Sequence, residues 1–170
     1  MASDIKNVKL GVCKVTFGGT DLGYTKGGVD VTVATETHQV QIDQFGQTPI
    51  NEYIMGRTVT VKVPMAETTL QNLVAVMPGA KLVGNGEVLR VDVPTSIGTN
   101  LLDFAKELVL HPISKADADK SEDFVVPLAA TAGALDYGYK LENERIFNCE
   151  FKGYPATDGK LFAIGDPAAA

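Results

Sequence analysis

Two stretches of strict alternation constrain this chain most. In one, Val29, Val31 and Val33 alternate with Asp30, Thr32 and Ala34; in the other, Val59, Val61 and Val63 alternate with Thr58, Thr60 and Lys62. A period of two with β-branched residues on one side is a half-buried strand, and no helix can present it. The first alternation slips around Thr35 to Thr37, which predicts a bulge or bend, and the strand is expected to reach as far as Ile42. The two strands are joined by "QIDQFGQTPINEYIMGR", Gln41 to Arg57. A tight hairpin links its strands with about two to five residues. This link is far longer, and we read residues 43–57 as an extended loop carrying Phe45, Ile50, Tyr53, Ile54 and Met55.

The rest of the chain is read in the same way. "VKLGVCKVTF" is a strand, followed by the glycine-rich turn "GGTDLGYTKGG". In "PMAETTLQNLVAVMPG", Leu70, Leu73, Val74 and Met77 follow helical spacing, so one helix is expected over about 66–77, introduced by Pro64 and stopped by Pro78-Gly79. Asn85-Gly86 between apolar runs marks a hairpin. "NLLDFAKELVLHP" fits a helix or a strand; we prefer strand, with Leu102, Phe104, Leu108 and Leu110 inward and Asp103, Ala105 and Glu107 outward. "FVVPLAATAGALDYGY" is a strand broken at Pro127, "ERIFNCEFKGY" alternates cleanly, "GKLFAIGD" is a last short strand, and "PAAA" is a short flexible tail. These elements predict one mainly β domain over 1–170, an antiparallel β-sandwich or barrel with one flanking α-helix.

Composition narrows the chemistry. Fifteen Lys and Arg against 21 Asp and Glu leave a formal charge of -6, which argues against a surface that grips nucleic acid. Cys13 and Cys149, the two cysteines, are read as reduced and buried. The apolar runs are too short to cross a membrane, so no membrane insertion is expected. His38 and His111 stand apart from other metal-ligating residues and are read as surface or turn histidines. Neither Asp103 with Glu107 nor Glu142 with Glu144 comes with a recognisable cleft, and "DADKSED" lacks the glycine and closing Glu of a calcium loop. The glycine-rich turn lacks the order of a phosphate-binding loop. No nucleophile, metal or cofactor motif stands out, and we expect a non-enzymatic protein with no cofactor and no metal.

Apolar side chains on a long loop are an aggregation hazard on a monomer. Either the loop folds back to cap its own core, or another subunit buries it. Large apolar residues beside Arg57 are what interface centres use, which favours the second.

The order of elements over "GGVDVTVATETHQVQIDQFGQTPINEYIMGRTVTVKVPMAETTLQNL" resembles the major tail tube proteins of long-tailed bacteriophages: strand, long loop, strand ending near proline, short amphipathic helix. The likeness is best from Gly27 to Pro78. It implies a self-assembling virion protein, made in the host bacterial cytoplasm and built into the tail. Its subunits would form stacked, hexameric rings enclosing a channel for DNA during ejection. Its partners would be further copies of itself and the tail tip or baseplate, tape measure and tail terminator proteins. Under this resemblance Phe45, Ile50, Tyr53, Ile54, Met55 and Arg57 reach the next ring. Candidates for the channel wall are the polar strand faces: Asp30, Thr32, Thr58, Thr60, Asp103, Glu107, Asn148 and Glu150. DNA would slide past such a wall without specific binding, although Lys62 and Lys152 lie on the same faces. The tube subunit of type VI secretion systems shares the architecture and is one alternative. A β-sandwich ligand-binding module is another, disfavoured by the absence of Trp.

Overall fold

Strand β4 (Asn51–Met65) is the longest element, and it divides in two along its length. From Val59 onward its alternate residues Val59, Val61, Val63 and Met65 are fully buried, while everything from Asn51 to Thr58 is exposed. A computed structural model describes residues 8–9, 11–95, 97–133 and 135–169 of the chain. Around β4 it places β1 (Cys13–Phe17), β2 (Thr20–Asp21), β3 (Asp30–Val40), β5 (Lys81–Asn85), β6 (Val88–Asp92), β7 (Lys106–Pro112), β8 (Phe124–Thr131), β9 (Phe147–Tyr154), β10 (Ala163–Ile164) and one helix, α1 (Leu70–Val76). Strand accounts for 43% and helix for 9%. The expected mainly β, antiparallel class with one α-helix is what the chain adopts.

The main sheet runs β2-β1-β7-β8-β9-β4-β3, with β10 added on β8. It is not flat. Phe17 on β1 and Phe151 on β9 lie three strands apart in that order, a separation of roughly 14 Å in a flat sheet. Their ring centroids are 4.9 Å apart. The sheet therefore curls, and its two arms face each other across one core, in the manner of a sandwich. Val15, Leu108, Val126, Ala129, Phe147 and the β4 residues fill that core. The ladder does not close into a barrel. A single bridge from Thr25 to Met65, flanked by the Lys26 N–H donating to Pro64 O at 3.1 Å, spans the open side.

Several expectations need correction. Helix α1 covers Leu70–Val76 and not 66–77, because β4 continues through Pro64 to Met65. Pro64 lies past the end of the β3 ladder, where a missing N–H costs least. Thr69 caps the helix, accepting from the Asn72 N–H at 3.2 Å. Strand β1 begins at Cys13, not Val8; Leu10 of that expectation lies outside the described residues. Leu101–Phe104 is a turn of 3-10 helix and the strand starts at Lys106. Pro127 does not break β8: it sits where the register against β7 slips by one residue. In the tail the Ala168 and Ala169 N–H groups both donate to Asp166; Ala170 lies outside the described residues.

Candidate interaction surface

The supposed loop 43–57 is strand over its second part, Asn51 onward, and a turn before it. β3 and β4 pair from Asp30↔Lys62 to Val40↔Asn51, leaving a turn of residues 41–50. The register shifts between Glu36 and Thr37, where Met55 is the extra residue opposite them. The slip at Thr35–Thr37 was the sequence signal for this bulge. β9 pairs with β4 only from Thr60 to Met65. Beyond Thr60, β3 and β4 have only each other as strand partners among the described residues, so the hairpin overhangs the body as a two-stranded arm. Val59 to Asn51 spans roughly 27 Å at strand rise.

The arm is exposed on both faces. Tyr53, opposite His38, lies on the face of Thr58; Ile54, opposite Thr37, lies on the face of Val59. Tyr53 and Ile54 are each 58% exposed, Met55 69% and Phe45 64%. Ile50 and Arg57 are exposed as well. None of the six residues expected at an interface caps the chain's own core.

The tip nonetheless has hydrogen bonds of its own. Asp43–Phe45 forms one turn of 3-10 helix, closed by Gly46 at φ 60, a backbone angle that favours glycine. The Ile50 N–H donates to Val40 O at 2.9 Å, and Gln41 Nε2 donates to Gln47 O at 3.1 Å. These bonds hold Phe45 outward beside Asp43.

Of the eight channel-wall candidates, seven lie on one face of the main sheet, six of them on β3, β4 and β9. Asp30, Lys62 and Glu150 are cross-strand neighbours on β3, β4 and β9; Thr32, Thr60 and Lys152 form the next row. Thr58 and Asn148 complete this face at its two ends. Glu107 shares it from β7, with β8 between. Asp103 does not: it sits in the 3-10 turn before β7. The face alternates acid and base, and among the described residues no ion pair joins Asp30, Lys62, Glu150 and Lys152.

Beside this face the segment after β8 is pinned to the body. The Arg145 guanidinium lies 5.6 Å from the ring centres of Tyr137 and Tyr139 and 5.9 Å from Phe147, and donates to Thr68 Oγ1 at 3.0 Å. The ion pair of Lys26 with Glu144 adds to this and holds the Glu144 carboxyl below its usual range.

Sequence reasoning misplaced one residue. His111 is buried, not superficial: its Nδ1 donates to the Asp123 carboxylate at 2.6 Å, while Nε2 has no partner among the described residues. Its isolation in the sequence suggested a surface or turn histidine, but Asp123, just before β8, meets it in the interior. Both cysteines are free; Cys149 is buried and Cys13 partly so, and burial pushes the Cys149 thiol up to about 11. Among the described residues no three His, Cys, Asp or Glu side chains are grouped to hold a metal ion, and no helix is long and apolar enough to cross a membrane. No protein-family model matches the chain, and no curated protein matches it.

Proposed function

We propose that the chain is a structural subunit of a bacteriophage tail tube, assembling with copies of itself into stacked rings around a DNA channel. The observation that carries this reading is the arm. A two-stranded hairpin alone is marginal in water, and this one presents Tyr53, Ile54 and Met55 to solvent on both faces. A partner that covers it supplies the burial that the monomer lacks. The outer edge of β3 is a second incentive, since among the described residues no strand lies beyond it in the sheet.

The mixed face of β3, β4 and β9 suits a channel wall. Threonines keep it wet, and the alternation of Asp30, Lys62 and Glu150 offers no run of cations to hold phosphate. DNA would pass without specific binding. Tail tip, tape measure and terminator proteins would start, measure and end such a tube, and the mature product would reside in the virion tail.

The test is a concentration series of the purified chain, followed by light scattering and negative-stain microscopy. Rings or tubes are the expected outcome. A strict monomer at every concentration, including after addition of tail-tip complexes, contradicts the reading.

A further inference from the structure

At the end of the body opposite the arm lies a groove of about 380 Å³. Its apolar wall comes from Phe17, Val74, Met77 and Phe104, and Lys81 and Lys106 stand at it. The placement follows from strand directions. β4 enters the body from the arm at Val59 and leaves it at Met65, where the chain turns into α1. Phe17 pairs with Leu108 near the start of β7, immediately after the 3-10 turn that carries Phe104. All four walls therefore sit at the end where β4 leaves the body.

We infer that this groove receives the arm tip of a second copy, with Phe45 in the apolar part and Asp43 against Lys81 and Lys106. The inference rests on the tube reading above and supplies the receiving site for its arm. Three observations support it. The first is charge. The arm from Val33 to Val59 carries three carboxylates (Glu36, Asp43, Glu52) against Arg57 alone, a net of 1 − 3 = -2 with histidine neutral, whereas the charged side chains of the groove are both lysines. Complementary charges of this kind steer docking and fix register. The second is order: the hydrogen-bonded 3-10 turn holds Asp43 and Phe45 as a preformed unit, which lowers the entropic cost of insertion. The third is polarity. An arm at one end and its receptor at the other make a head-to-tail contact, which repeats without closing along an axis. That is the geometry a stack needs.

The test uses Asp43→Lys, Lys81→Glu and the double variant, each in the full chain. Lys81 and Asp43 are exposed, so a thermal melt should match the unmodified chain in all three. Each single reversal should raise the concentration at which scattering appears by at least about tenfold, and the double variant should recover most of that loss. Lys106→Glu gives a further reading of the same groove, although its stem packs beside Phe17 and Gly18, so its melt must be compared first. Unmodified chains that assemble while Lys81→Glu assembles equally well would overturn the groove and leave the tube reading intact. A double variant that assembles no better than the singles would overturn the groove in the same way. If the unmodified chain never assembles, the tube reading falls and the groove falls with it.

Discussion

The two halves of β4 both carry large apolar side chains and have opposite fates. Val59, Val61 and Val63 alternate with polar residues and are buried; Tyr53 to Met55 are equally apolar and are exposed. What separates them is their neighbours. From Thr60 to Lys62 β4 lies between β3 and β9, and on to Met65 it keeps β9 and the cover of the curled sheet, whereas before Thr60 its one strand neighbour among the described residues is β3. Apolar content therefore reports that a segment will be buried somewhere, and topology decides whether its own domain does the burying.

The largest expected effect breaks the body half. Phe151 is fully buried against Phe17, so Phe151→Ala should lower the unfolding free energy by about 3–5 kcal/mol in a denaturant titration. Next comes the arm half. Tyr53→Ser with Met55→Ser should leave the monomer's melt within about 0.5 kcal/mol while weakening assembly by about 2 kcal/mol or more per anchor. A collapse of the melt would put these residues in the core and erase the contrast. Gly153→Ala sharpens the boundary between the halves. A methyl at Gly153 would run into Val59 and Val126, so about 1–3 kcal/mol of overpacking is expected, visible as a lower thermal midpoint. Thr69→Ala removes the α1 cap and should cost about 1 kcal/mol without touching assembly.

The smallest effect depends on pH. Hydrogen bonds from Ser121 and the nearby Lys115 hold the Asp119 carboxyl down at about 2. A depressed carboxyl stabilises the fold above its ordinary value near 3.9, and loses that contribution as pH falls toward the folded value. The unfolding midpoint of Asp119→Asn should therefore sit slightly below that of the unmodified chain at pH 5, and the gap should narrow between pH 4 and pH 2.

Much of the body was legible because its signals are local. Alternation placed β9 and the buried half of β4, and the slip at Thr35–Thr37 marked the bulge. Alternation also gathered Asp30, Thr32, Thr58 and Thr60 on one face, since residues two apart on a strand share it. The errors lie where a tertiary partner overrides a local cue. Pro64 suggested the start of a helix, but the bridge from Thr25 keeps β4 extended to Met65. The length of the link suggested an extended loop, yet a ladder against β3 requires only that the backbone be extended, and Gly56 fits it beside the bulge. His111 could not be placed from sequence because its partner, Asp123, belongs to a segment packed over β7 from outside the alternation.

The central claim is that the arm is stabilised by other copies of the chain. Amide hydrogen exchange of residues 51–58, measured in dilute monomer and in the assembled state, tests it most directly. A two-stranded overhang should exchange fast in the monomer and slowly after assembly, while Val61 and Val63 stay protected in both states. Equal protection of the arm in the two states would contradict the account.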